Sequence, residues 1–172
     1  MSCEQRRFAL DASVVITFSK NGQFDLLEQA LATRAYVTDE VYRECQSARI
    51  NLDAGIALGR ILSFTITAPD DLAFFARVHR QMDAGEASAV AAARALSGCV
   101  VSDDGEAIAI AGALLGPGNV VGTREVLCFA VEHGHLTAAQ AEVHLAAFIT
   151  GGAYVPNVDT GFFEECPDPE VV

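Results

Sequence analysis

Short apolar strands alternating with helical stretches over 172 residues predict an α/β fold: a three-layer α/β/α sandwich around a mainly parallel sheet. Two further observations support this. Hydrophobic residues make up 51% of the chain and charged residues only 20%, enough to bury a core in one domain. The recurrent apolar runs are short, and acidic or hydroxyl residues follow several of them, as at the carboxyl ends of parallel strands where ligands bind. The expected division is a domain over residues 1–155 and an acidic tail over 156–172.

The first strand is expected at 8–10, followed by Asp11 and an apolar run from Val14 to Phe18. Leu26, Leu27, Ala30 and Leu31 have helical spacing within 25–33, and 35–37 is a brief second strand. Thr38 can cap a helix through Val41, Tyr42 and Cys45, which places Glu40 and Glu44 four residues apart on one face. A helix is expected over 51–62, a β-branched strand over 63–67 ended by Pro69, and an amphipathic helix over 70–82. Asp83 to Glu86 opens the next helix, whose body at 87–93 is small and apolar and therefore closely packed. A central strand at 99–101 leads into Ser102-Asp103-Asp104-Gly105 and a helix over 106–115. After the Gly116-Pro117-Gly118 turn come a strand at 119–121, a helix capped by Thr123 running to Val131, and a last helix from Thr137 to about Ile149.

The net charge is −12, and Lys20 is the sole lysine, so cations are almost all arginine. Such a chain makes poor long-range contact with phosphates unless divalent cations offset clustered acids locally. No window has the eighteen or so continuous apolar residues of a membrane span, and residues 1–7 lead straight into the first strand; a cytoplasmic protein is expected. Five cysteines without a Cys-x-x-Cys pair argue against a disulfide framework and a zinc knuckle. Cys99 and Cys128 lie in apolar runs and read as buried thiols.

Four acidic positions stand out: Asp11, Glu44 or Glu40, Glu86, and Asp103 or Asp104. Taken singly, each has an ordinary explanation as a helix cap, a first-turn acid or a solvated helix charge. Taken together, they are harder to dismiss. Asp11 and the Asp103-Asp104 pair abut apolar strands, and Glu86 precedes a buried alanine-rich helix. Converging carboxylates without matching lysines repel unless they share protons or bind cations, and hard oxygen donors suit Mg²⁺ or Mn²⁺. Such ions activate water for in-line attack on a phosphodiester.

These residues resemble the PIN-domain ribonucleases, close to the VapC-like toxin subunits of toxin–antitoxin systems. The matching pieces are Leu10-Asp11-Ala12-Ser13-Val14-Val15-Ile16, Val37-Thr38-Asp39-Glu40-Val41-Tyr42-Arg43-Glu44-Cys45, Gly85-Glu86-Ala87-Ser88-Ala89-Val90, Val100-Val101-Ser102-Asp103-Asp104 and Val121-Gly122-Thr123-Arg124-Glu125-Val126-Leu127. They follow the family's order. The resemblance implies Asp11 as the first metal-binding acid supported by Ser13, Glu44 as the second, and Glu86 in a third place often filled by Asp. Asp104 is implied as the fourth, because Ser102 stands two residues before it, with Asp103 as the other candidate. Asp11, Glu86 and Asp104 would hold the metal, and Thr123 matches a polar position near the site. The implied function is a Mg²⁺- or Mn²⁺-dependent endoribonuclease acting on RNA, restrained by a cognate antitoxin and homodimeric, without membrane association. The strong negative charge, the scarcity of lysine and the longer acidic carboxyl terminus depart from the family pattern.

Other aspartate chemistries fit less well. A receiver domain needs a lysine after a later strand, and none follows Lys20; a haloacid-dehalogenase-type phosphatase needs Asp where Ser13 stands. His133 and His135, flanking Gly134, read as exposed rather than as zinc ligands. A reading from a different class is a catalytically silent PIN-fold binding or assembly module.

Overall fold

Phe8–Leu10 (β1), Ala35–Thr38 (β2), Ile61–Phe64 (β3), Cys99–Val101 (β4) and Val120–Val121 (β5) form one sheet in the order β3-β2-β1-β4-β5, every pairing parallel. The structure is a computed structural model and describes residues 6–156 and 162–166. The helices are Ala12–Lys20 (α1), Phe24–Leu31 (α2), Asp39–Glu44 (α3), Arg49–Ala57 (α4), Pro69–Val78 (α5), Ala84–Leu96 (α6), Gly105–Leu115 (α7), Thr123–Glu132 (α8) and Ala138–Thr150 (α9). The expected α/β architecture with a parallel sheet is the one observed.

Strand alternation divides the core between the two faces of the sheet. Phe8 and Leu10 of β1, with Cys99 and Val101 of β4, pack among Val15, Phe18, Leu27, Leu127 and Phe148. Ala9 and Val100 point the other way, onto the alanine-rich body of α6. Alanine at 9, 87 and 91–93 removes the side-chain bulk that would hold α6 away from the sheet, so that helix lies buried as its composition predicts. Phe18 and Phe148 meet edge to face at 5.0 Å, tying α1 to α9. The buried carboxylate of Glu28 is held by Arg60 at 3.0 Å, joining α2 to the approach of β3.

Several boundaries differ from expectation. The helix expected over 51–62 is α4, which ends at Ala57, because Gly59 takes φ +68° and turns the chain. Ile61 and Leu62 therefore open β3, which ends at Phe64 instead of continuing to 67. Thr123 does not cap α8: Gly122 holds the cap position and the Thr123 hydroxyl is committed elsewhere. Thr38 and Thr137 do cap α3 and α9, through Val41 N–H and Gln140 N–H.

The reading of Cys128 as a thiol is overturned. Cys128 on α8 is disulfide-bonded to Cys166, 38 residues away, while Cys45 and Cys99 are buried free thiols. A 3₁₀ turn at Phe162–Glu165 brings Cys166 there, with Phe163 buried against the core. Residues 157–161 and 167–172 of the expected acidic tail lie outside the described residues. Among the described residues no helix is long and apolar enough to cross a membrane.

Candidate functional site

In the strand order β3-β2-β1-β4-β5 the chain winds outward in opposite directions from β1 and β4, which makes their carboxyl ends the switch point of the sheet. Asp11 leaves β1 there and Asp103 and Asp104 leave β4. Asp11 N–H donates to the Val101 carbonyl at 2.9 Å, so the two strand ends stay in register up to the acids.

Asp11 occupies the N-cap position of α1, yet its side chain caps nothing. Its Oδ2 instead accepts the hydroxyls of Ser13 at 2.6 Å and Ser102 at 3.0 Å. With only 3% of its surface exposed, a carboxylate here needs such partners. Both serines also accept from the chain beyond β4: Asp103 N–H donates to Ser13 Oγ at 3.4 Å and Asp104 N–H to Ser102 Oγ at 3.2 Å. The two hydroxyls therefore fix both Asp11 and the backbone that carries the next acids.

Asp103 and Asp104 have different environments. Both oxygens of the buried Asp103 receive Thr123, its N–H at 2.8 Å and its hydroxyl at 2.5 Å. Burial pushes the Asp103 carboxyl above its usual range, while the two Thr123 contacts pull it down. Asp104, half-buried, caps α7 through Oδ1, which accepts Glu106 N–H and Ala107 N–H, both at 2.9 Å. Among the described residues its Oδ2 has no hydrogen bond, and the same holds for Asp11 Oδ1.

Glu44 and Glu86 come from α3 and α6, which cross at Gly85. Gly85 N–H donates to Glu44 Oε1 at 2.9 Å, and a methyl group on Gly85 would run into that carboxylate. Below this contact the hydroxyls of Thr38 and Ser88 share a 2.6 Å hydrogen bond, and Ser88 donates to the Gly85 carbonyl at 2.7 Å. Glu86 closes a capping box by accepting Asp83 N–H at 3.3 Å. Glu40, the alternative to Glu44, pairs with Arg43 at 3.5 Å.

The acids act on one another through charge. Partial burial raises Glu86 to about 7, reinforced by the charges of Asp11 and Asp104. Glu44, at the exposed rim, is also raised, first by desolvation and then by Asp11, Asp83 and Glu40, against the lowering effect of the Gly85 N–H. The charge of Asp11 is felt at Glu44, Glu86 and Asp103, so Asp11 is the centre of the cluster. None of Asp11, Glu44, Glu86 or Asp104 pairs with an arginine or lysine among the described residues. Asp83 is read from the sequence only as opening the helix, consistent with its Asp-x-x-Glu capping-box spacing to Glu86, and its charge acting on Glu44 and Glu86 was missed. Ser88 was likewise missed, because nothing in the alanine-rich stretch marks it as a partner of Thr38.

The donor set is all oxygen and carries excess negative charge, which fits a hard divalent cation. In the conformation seen, no three His, Cys, Asp or Glu side chains among the described residues are grouped so that they could hold one ion. Part of the reason is local, since Glu44 and Glu86 are each turned to a backbone N–H.

Residues 7–158 match a family model, DUF3368, described as a PIN domain. No curated protein and no solved structure gives a significant match.

Proposed function

The chain belongs to the PIN-domain family, and from that premise we propose that it is a metal-dependent endoribonuclease hydrolysing RNA phosphodiester bonds at Asp11, Glu44, Glu86 and Asp104. One observation carries this reading: carboxylates from four separate segments share one electrostatic environment, where burial first and then the charge of Asp11 raise Glu44 and Glu86, Asp104 adding to Glu86, and none of the four is in an ion pair with an arginine or lysine among the described residues. A Mg²⁺ or Mn²⁺ ion, when bound, supplies an activated water and offsets charge on the phosphodiester.

The chain's own residues prepare that chemistry. Ser13 and Ser102 hold Asp11 by Oδ2, which leaves Oδ1 as its ligand oxygen. Asp104 likewise offers Oδ2 while Oδ1 anchors α7. Asp11, Glu86 and Asp104 are the proposed metal ligands and Glu44 the supporting acid at the rim. Glu86, raised to about 7 first by burial and then by Asp11 and Asp104, is part-protonated near neutral pH in the ion-free site, and binding a cation favours its ionised form. Asp103 and Thr123 lock β4 to the start of α8 and keep Asp104 in place.

The finer reading is a toxin of a type II toxin–antitoxin pair, cytoplasmic and homodimeric, with a small cognate antitoxin as its restraint. It rests on the resemblance to VapC-like subunits. A small DNA-binding protein encoded in the upstream neighbouring frame is its cheapest check.

Purified protein incubated with RNA and Mn²⁺, beside Asp11→Asn, tests the central claim. The expected result is cleavage by wild type and none by the variant. A second reading, the silent PIN-fold binding module, draws on the ungrouped carboxylates of the conformation seen. Equal survival of RNA in both samples, with no metal bound by wild type, would remove the enzyme reading and leave the binding module standing.

A further inference from the structure

Four arginines stand before strands at one end of the sheet and acids follow strands at the other, where Arg124 also lies, after β5. Arg7 precedes β1, Arg34 precedes β2, Arg60 precedes β3, and Arg94 stands at the end of α6 just before β4. Asp11, Asp39 and the Asp103-Asp104 pair follow β1, β2 and β4 at the other end. A three-residue strand such as β1 separates the two ends by about 10 Å, at roughly 3.3 Å per residue.

At the arginine end, between α5, α6 and α7, lies a cavity of about 530 Å³ lined by Phe74, Arg77, Arg94, Ser97, Leu114 and Asn119 among others. The buried ring of Phe74 lies under two guanidinium groups, Arg77 at 5.0 Å and Arg94 at 4.6 Å from its centroid. The ring thus holds both cations at the cavity wall. Arg94 pairs with Asp71 at 3.0 Å; Arg77, exposed, pairs with no carboxylate among the described residues. Outside the lining, Arg7 donates to the Leu96 carbonyl beside Ser97 and Arg6 to the Gly118 carbonyl beside Asn119, both at 3.3 Å, and Arg6 also reaches Cys99 Sγ at 4.0 Å, towards the other face of the sheet. Neither is in an ion pair among the described residues. Two guanidinium groups therefore line the cavity against one carboxylate, Asp71, among the described residues of a chain with 23 acids and 11 lysines and arginines. Arg77 is thus left with its charge open to an external anion beside the paired Arg94. The planar guanidinium fork suits phosphate oxygens, and the apolar Leu114 wall suits the carbon atoms of a sugar or base.

We propose that this cavity is a phosphate-binding subsite, occupied by the backbone of the RNA whose cleaved bond lies at the acidic end of the sheet. The proposal rests on the ribonuclease reading and answers its main difficulty. The acidic cluster repels a polyanion, and affinity for RNA comes from cations that displace its counterions. Here the grip and the cut are placed at different ends of the molecule, within the span of a short single strand.

The test is binding of a fluorescent single-stranded RNA in EDTA, read by anisotropy across a salt series, for wild type, Arg77→Gln, Arg94→Gln and Asp71→Asn. Arg77→Gln and Arg94→Gln should each weaken binding about 3- to 10-fold and flatten the slope of log K against log salt by about 0.7. Asp71→Asn, which frees Arg94 from its carboxylate, should tighten binding about 2-fold. That opposite sign cannot come from lost folding, and melting curves verify the arginine variants. Indifference of RNA affinity to all three substitutions overturns the subsite. Loss of affinity for inorganic phosphate or adenosine monophosphate alone, with RNA unaffected, also overturns it, because the occupant is then a free phosphate compound. Cleavage is scored separately in Mn²⁺. RNA held through Arg77 and Arg94 but never cut leaves the subsite standing and removes the nuclease reading; RNA cut with affinity indifferent to both arginines does the reverse.

Discussion

Thr123 donates both its N–H and its hydroxyl to Asp103, at 2.8 and 2.5 Å, so the two oxygens of that carboxylate are already used within the protein. Adjacent aspartates thus have different tasks. Asp103→Asn puts an amide N–H against a donor and should cost about 1–3 kcal/mol. In a chain of this size that lowers Tm by roughly 2–4 °C per kcal/mol. Asp104→Asn keeps a good N-cap for α7 and should change Tm little, since Asn and Asp cap about equally well. Cleavage should show the reverse order, with Asp104→Asn losing nearly all activity. If Asp103→Asn proves the inactive but fully stable variant, the assignment of the two residues is inverted.

Gly85 is constrained by Glu44. A Cβ there meets the carboxylate, so Gly85→Ala must push α3 from α6 or expel the Glu44 side chain and break its hydrogen bond to Gly85 N–H. The expected loss is about 1–3 kcal/mol, the usual cost of overpacking. Glu44→Ala in the same chain should recover most of it, since the obstruction goes with the side chain. Thermal melts of the two single variants and the double variant measure this coupling directly. Additive losses would mean that Glu44 is not what holds position 85 to glycine.

Much of this was legible from the chain. The strands were visible because each is an apolar run bounded by polar residues, and the acids because a carboxylate at the end of such a run needs a partner. β3 was misplaced because Ile61 and Leu62 also suit a helix, and only the left-handed turn at Gly59 assigns them to the strand. Thr123 looked like a helix cap because its local spacing is that of a cap; its bond to Asp103 spans 20 residues and leaves no local trace. The Cys128–Cys166 pairing was hidden for the same reason. The placing of Arg7, Arg34, Arg60 and Arg94 at the end of the sheet away from Asp11 and Asp104 emerges only once the strands are parallel, since each of these arginines stands before a strand.

The Cys128–Cys166 bond closes a segment across 38 residues and fixes the turn carrying buried Phe163 against the core. Arg124, over the Phe162 ring at 3.8 Å, adds a second tie from α8 to the same turn. Constraining a loop of this length in the unfolded chain is worth about 2–4 kcal/mol. Cys128→Ser with Cys166→Ser, or reduction of the native protein, should lower Tm accordingly. Intact mass should fall by two hydrogens between the reduced and native forms. Equal Tm with and without reductant, with the bond verified by mass, would show that the turn docks without it.

Glu86 gives stability an unusual dependence on pH. Its carboxyl is raised from the ordinary 4.5 to about 7 by partial burial and by the charges of Asp11 and Asp104. The folded protein therefore holds this proton more tightly than the unfolded chain does. The stabilisation is complete below about pH 4.5 and is lost as pH rises through about 7, because ionising Glu86 adds a charge to the cluster. Glu44 and Asp103 are shifted in the same direction. Glu86→Gln, which stays neutral, should thus match wild type at low pH and melt higher than wild type at pH 8 in EDTA. Saturating Mn²⁺ should reverse the order at pH 8. Wild type gains by mass action, about 2.7 kcal/mol at a hundredfold excess over Kd, and Glu86→Gln gains less for want of a ligand. A Glu86→Gln protein that melts below wild type at pH 8 in EDTA would show that the group is ionised and stabilising in the folded state, and would remove the charge repulsion on which the metal reading depends.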